Sequence, residues 1–89
     1  MNVDYSFIRP DIRDALDAWG REAFPVGGFL TAVLENNLSE ALGRADEYNL
    51  KTIFHIVSYV YNELPSHCWG SPKNVSQWQR RFKNEAANS

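Results

Sequence analysis

The chain has 89 residues, of which 44% are hydrophobic and 22% charged, and a formal net charge of −2. These values predict one folded, soluble domain and argue against a disordered chain. The acidic balance makes DNA or long RNA an unfavourable ligand, because phosphate-backbone binding needs a broad basic face. No apolar run approaches the roughly 20 residues of a membrane span. Residues 1–9 show no signal sequence, so we expect a cytoplasmic protein that does not bind a membrane.

The first helix is predicted over residues 10–19, behind an N-terminal arm, residues 1–9, that docks on the body. Pro10 suits the first helical position, where its missing N–H costs nothing, and acidic residues follow in the first turn. Apolar residues then recur at helical spacing as far as Trp19. Gly20 is typical of a residue that ends a helix.

The second helix is predicted over residues 28–42, after a loop that ends in the pair Gly27 and Gly28. Apolar residues keep a spacing of three and four throughout this segment. Asn36 and Asn37 could distort the helix, because asparagine is a poor helix former. We expect one helix with a local distortion at that point.

The strongest helical pattern in the chain lies between residues 46 and 64, and it predicts one long central helix around which the others pack. Asp46 is the expected N-cap, and the Leu64-Pro65 pair is expected to end the helix. Phe54 and Val57 lie in the middle of the apolar stripe and are therefore expected in the core. The stripe comprises Leu50, Ile53, Phe54, Val57, Val60, Tyr61 and Leu64, and is widened by Ile56 and Tyr59.

The fourth helix is predicted over residues 71–83, because Ser71 before Pro72 is an N-cap serine followed by a proline at the first helical position. Its expected apolar face is formed by Val75, Trp78 and Phe82. Residues 84–89 are expected to fray. The whole chain, residues 1–89, is thus predicted to be a single all-α domain, a compact four-helix fold around the central helix.

Metal and catalytic chemistry are poorly supported by the sequence. His55, His67 and Cys68 are the only residues of the usual metal-binding types besides carboxylates, and their spacing fits neither C-x-x-C nor H-x-x-x-H. Adjacent His67 and Cys68 side chains are not expected to aim at each other, as a nucleophile and its base must. We therefore expect no metal, no cofactor and no enzymatic activity.

Two helix starts that follow glycines could bind an anion, because free N–H groups there face the positive end of a helix. The second adds a hydroxyl, a lysine and a tryptophan that could stack on a base. Both starts can also be plain structure, a turn in one case and a cap in the other. The candidate ligand-binding residues are Gly27, Gly28, Trp69, Gly70, Ser71 and Lys73.

Two strings in the sequence, GGFLTAVLENNLSEALGRAD (residues 27–46) and YNELPSHCWGSP (residues 61–72), are followed by Trp78. Together they resemble a group of short proteins of unknown function encoded by tailed phages and prophages. The resemblance covers most of the chain but not the arm or the first helix. It implies a phage origin, action inside an infected bacterial cell, and an accessory role exercised by binding.

We accordingly expect a non-enzymatic binding protein that counters host defence, by sequestering a nucleotide-type immune signal. The alternatives are a protein–protein inhibitor of a host defence complex, comparable to an anti-CRISPR protein, or another phage accessory factor. The chain holds three Trp, four Tyr and five Phe. This number of aromatic side chains exceeds what a small core can bury, and exposed aromatic surface tends to form interfaces. We therefore expect a homo-oligomer.

Overall fold

A computed structural model describes the backbone of residues 4–88 and the side chains of residues 4–81. Over this part of the chain the fold has two 3₁₀ turns, Tyr5–Phe7 and Ser66–Cys68, and no strand, which confirms the predicted all-α class. The buried apolar residues form one cluster that extends from Ile8 to Trp78. The helices are α1 Pro10–Glu22, α2 Gly28–Leu34, α3 Leu38–Arg44, α4 Glu47–Lys51, α5 Ile53–Glu63 and α6 Pro72–Asn88.

Helix α1 begins at Pro10 as predicted, but Gly20 does not end it. The helix continues to Glu22 and ends at Ala23, whose φ of 57° is left-handed. Gly20 instead allows close packing, since a Cβ placed on it would lie 2.9 Å from the Cδ2 atom of Leu64. The prediction of a stop at Gly20 was wrong because the glycine accommodates a residue from a distant part of the chain.

The predicted second helix is divided into α2 and α3 at the two asparagines. Asn36 takes a left-handed φ of 61°, which asparagine tolerates better than most residues. Asn37 then caps α3, its side-chain oxygen accepting a hydrogen bond from the Glu40 N–H at 3.2 Å. The expected distortion is confirmed. It is a complete corner, however, so the prediction of one continuous helix over residues 28–42 was wrong.

The predicted central helix is also divided, at Thr52. Asp46 is the N-cap of α4 as predicted, accepting a hydrogen bond from the Asn49 N–H at 2.7 Å. Thr52 has φ −109° and ψ 11°, and its hydroxyl donates to the Tyr48 carbonyl at 3.0 Å. A threonine that bonds back to the preceding turn competes with regular helix geometry, which accounts for the break.

Helix α5 presents a different face to the core than the sequence pattern indicated. Ile56, Tyr59 and Val60 are 0%, 6% and 2% exposed, whereas Phe54 and Val57 are 57% and 44% exposed. Apolar residues cover more than half of this helix, so the spacing alone does not select the buried side. The expectation that Phe54 and Val57 lie in the core was wrong.

The centre of the core is Trp19 of α1, which is 1% exposed. Its Nε1–H donates to the Cys68 carbonyl at 2.9 Å, and its own carbonyl accepts from Trp78 Nε1 at 2.5 Å. Two hydrogen bonds thus join α1 to the second 3₁₀ turn and to α6. Both indole N–H groups are satisfied at buried positions, as tryptophan requires.

The N-terminal segment packs on α5 through a 3₁₀ turn rather than as an extended arm. The Tyr5 ring meets the Tyr59 ring edge-on with centroids 4.9 Å apart, and Ile8 is 3% exposed. The Tyr59 hydroxyl in turn donates to the Asp17 carboxylate of α1. Residues 1–3 of the predicted arm lie outside the described part of the chain.

Helix α6 extends to Asn88, through the segment that was predicted to fray. Val75 and Trp78 of its predicted apolar face are buried, while the side chains of Phe82 and Lys83 are outside those described. Ser89 also falls outside the described residues. Across residues 4–88 we find no helix with the length and apolar character needed to cross a bilayer.

Candidate ligand-binding groove

A groove of about 500 Å³ lies between the α2–α3 corner and α5, with Trp69 also contributing to its wall. Its volume is within the range of small-molecule sites, which are mostly apolar with a few polar groups. No lining residue carries a charge. The lining residues are Val33, Asn36, Asn37, Leu38, Ala41, Ile53, Val57, Val60, Tyr61 and Trp69.

Two aromatic rings, Tyr61 and Trp69, stand together in the groove wall, with centroids 5.8 Å apart and planes inclined by 62°. The Trp69 Nε1–H is buried and has no hydrogen-bond partner among the described residues. Leaving a buried donor unpaired costs roughly 1–3 kcal/mol. Trp69 therefore brings to the groove wall an aromatic ring surface and a buried polar group that the described chain leaves unsatisfied.

The two asparagines of the α2–α3 corner supply the other polar groups of the groove. The side-chain oxygen of Asn37 is used to cap α3. Asn36 occupies the left-handed position that turns the chain. The corner that interrupts the predicted second helix is therefore also what brings amide groups to an otherwise apolar groove.

Gly27 and Gly28, the first candidate anion site, do not line the groove. Arg44 lies against this helix start, since a Cβ on Gly28 would be 2.9 Å from its Nη1 atom. Arg44 is also paired with Glu40, with 2.5 Å between Nε and Oε1. The seven residues of α2 make a short helix whose start is covered by a side chain already in an ion pair.

Gly70 and Ser71, in the second candidate site, are engaged in hydrogen bonds within the chain. The Gly70 N–H donates to the Leu34 carbonyl at 2.7 Å, and φ at Gly70 is +107°, a region that favours glycine. Ser71 Oγ accepts from the Asn74 N–H at 3.1 Å, as predicted for an N-cap. Lys73 is exposed and does not line the groove. Of the six candidate residues, only Trp69 contributes to the groove.

Replacing Ser71 with alanine should lower the free energy of unfolding by about 1 kcal/mol through loss of the cap. Lys73→Ala should change it by less than about 0.5 kcal/mol, because Lys73 is exposed. Urea denaturation of both variants beside the wild type measures the two effects. An unchanged unfolding free energy in Ser71→Ala would contradict a capping role.

The titratable residues that the sequence singled out have different surroundings in the structure. Burial raises the pKa of the Cys68 thiol to about 11, so at neutral pH the thiol is protonated and a poor nucleophile. The His67 ring packs against Trp78 at 4.8 Å between centroids, while His55 lies between Phe7 and Phe54. Within the described residues, no three His, Cys, Asp or Glu side chains gather to hold a metal ion.

Most of the groove could not be predicted from the sequence, because its walls come from segments far apart in the chain. One signal was present: between Lys51 and Glu63 the sequence contains no Asp, Glu, Lys or Arg. A helix that faces water on one side normally carries charges there. The absence of charge marks the exposed side of α5, including the groove residue Val57, as unusual.

Comparison with known proteins adds no assignment to this geometry. A scan against known protein families found no match, and searches of curated proteins and of solved structures found no similar chain.

Proposed function

We propose that the chain is a non-enzymatic binding protein whose groove holds a planar, hydrogen-bonding ring such as the base of a nucleotide. The observation that carries the proposal is the pair of aromatic rings, Tyr61 and Trp69, in the wall of an uncharged groove. Nucleobases offer a flat face for stacking and ring acceptors for an N–H donor. Asn36 adds an amide, the side chain that suits the edge of a base.

The charged part of such a ligand must lie outside the groove, since no lining residue is a cation. The segment after Trp69 contains an exposed lysine, Lys73, four residues along the chain. We therefore assign the base to the groove and the phosphate to the solvent side, with Lys73 as its partner. Inside an infected bacterial cell, the setting that the phage resemblance implies, this binding would remove a nucleotide-type immune signal.

A panel of linear and cyclic nucleotides in a thermal-shift assay, followed by calorimetric titration, tests the proposal. A ligand present at about 100 times its Kd should stabilise the fold by roughly 2.7 kcal/mol. Lys73→Ala should weaken binding by an amount that shrinks as salt is added, because an exposed ion pair is screened. Lys51→Ala, which removes an exposed lysine of α4, is the matched control and should bind normally. No response to any nucleotide in the panel would refute the proposal.

Trp69→Phe should reduce nucleotide affinity about tenfold while leaving the fold intact. The variant keeps an aromatic face but removes the N–H donor, and one hydrogen bond of about 1.4 kcal/mol corresponds to that factor. Stability should change little, because removal of the unpaired buried donor offsets the packing that the smaller ring loses. Titration and urea denaturation of the same sample give both values. Wild-type affinity in this variant would show that the Trp69 N–H does not contact the ligand.

A second candidate function, protein–protein inhibition of a host defence complex, is favoured by the exposed apolar side chains of α5. Phe54 and Tyr61 are 57% and 71% exposed, and large exposed apolar patches mark interaction surfaces. Two results together would favour this candidate. A defence protein should bind the wild type but not a Phe54 variant, and no nucleotide in the panel should shift the melting temperature.

A further inference from the structure

Four apolar side chains form a stripe along the outside of α4 and α5, which we call the outer stripe: Leu50, Phe54, Val57 and Tyr61. Their exposed fractions are 49%, 57%, 44% and 71%, respectively. Within α5 the spacing of three and four residues from Phe54 through Val57 to Tyr61 is that of the contact seam between two packed helices, and Leu50 adds an exposed apolar side chain at the end of α4. No described element of the chain covers this seam. The pattern is therefore typical of a surface that packs against a helix from another molecule.

The outer stripe is also free of charge. No residue between Lys51 and Glu63 is Asp, Glu, Lys or Arg. The one histidine in the segment, His55, is half-buried between Phe7 of the N-terminal turn and Phe54 of the outer stripe. A surface without charge meets an identical surface with no repulsion, whereas a charged patch would repel its own copy.

The exposed apolar area is sufficient for a small dimer. Leu38 and Leu42 of α3, 62% and 43% exposed, add to the four residues of the outer stripe. Six such side chains expose roughly 600 Å² on one copy, at the upper end for a monomer's largest apolar patch. Two copies together would bury roughly 1,200 Å², the lower limit of a standard specific interface.

We propose that a second copy of this chain covers the outer stripe, so that α5 of one copy packs on α5 of the other. In a dimer with two-fold symmetry, the same patch of each copy forms the interface. The outer stripe can pair with itself in this way, because it carries no charge and its residues have the spacing of packed helices. Val57 and Tyr61 belong both to the outer stripe and to the groove wall, so the partner lies at the mouth of the groove. This inference goes beyond the proposed function and does not depend on a nucleotide.

Light scattering after size exclusion, on the ligand-free full chain from low to high micromolar concentration, tests the proposal. The wild type should have twice the 10.2 kDa mass of the chain. Phe54→Glu should give the monomer mass and a dimer Kd raised roughly a hundredfold or more, because a charge would be buried without a partner. Phe24→Glu changes a phenylalanine of similar exposure, 54%, outside the outer stripe and should remain dimeric.

Tyr61→Lys provides a second disruption at the most exposed residue of the outer stripe, and circular dichroism establishes that each variant is folded. Folded, monomeric Phe54→Glu or Tyr61→Lys beside a dimeric wild type supports the proposal. A wild type that stays monomeric at every concentration overturns it, and so does a dimer that persists in folded outer-stripe variants. Because no ligand is present, a negative nucleotide panel leaves these outcomes unchanged.

Discussion

Trp19→Ala should leave the domain largely unfolded at 37 °C, with the free energy of unfolding lowered by about 3–5 kcal/mol. The side chain is 1% exposed, and its removal would leave a cavity at the junction of α1, α6 and the second 3₁₀ turn. Small domains have only about 5–15 kcal/mol of total stability, so this loss is a large share. Urea denaturation followed by circular dichroism gives the value.

Trp19→Phe separates the hydrogen bond from the packing. Phenylalanine keeps most of the buried ring but removes the N–H that donates to the Cys68 carbonyl at 2.9 Å. An unpaired buried carbonyl costs about 1–3 kcal/mol, so this variant should be intermediate between wild type and Trp19→Ala. Equal stability of all three proteins would mean that Trp19 is not the centre of the core.

Helix starts could be predicted from the sequence because the interactions that fix them are local. Asp46 accepts a hydrogen bond from an N–H three residues later, and Ser71 does the same. Pro10 likewise needs only its own fixed backbone geometry. In each case the signal and its partner lie within one turn, so reading a short window is enough.

Helix ends and breaks were harder to predict, because distant residues decide them. Glycine is a residue type that commonly ends helices, yet α1 continues past Gly20, and the missing side chain leaves space for Leu64 to pack. The short α2 and α3 meet at Asn36, which the sequence identified as a weak point but not as a corner. The sequence shows where a helix can yield, and packing against the rest of the chain determines whether it does.

The groove could not be predicted for a related reason. Trp69 was recognisable as an aromatic residue beside a helix start, but the wall facing it comes from the α2–α3 corner. The glycines and Ser71 drew attention because free helix N–H groups bind anions. In the folded chain the Gly70 N–H is already donated to Leu34, and Ser71 serves as a cap. The local motif therefore pointed to the segment that contains Trp69, but it predicted an anion site at Gly70 and Ser71, whereas the structure places only the Trp69 ring in the groove.

The side of α5 that is buried reverses the predicted effects of two alanine substitutions, at Phe54 and Ile56. The pattern places Phe54 in the core, where Phe54→Ala would cost about 3–5 kcal/mol. The structure instead buries Ile56 completely and leaves Phe54 57% exposed. We expect Ile56→Ala to lower the free energy of unfolding by about 2–5 kcal/mol, and Phe54→Ala to lower it by less than about 1 kcal/mol in the monomer.

The two alanine variants should be compared by urea denaturation at low protein concentration, because a dimer would add stability that depends on concentration. At high concentration the proposed interface predicts a second difference: Phe54→Ala should lose the concentration-dependent part of the stability of the wild type. Ile56→Ala removes atoms from the inside of the same helix and should keep that dependence if it folds. A larger loss for Phe54→Ala than for Ile56→Ala at low concentration would mean that α5 is rotated relative to the orientation described, and the outer stripe would then lie in the core.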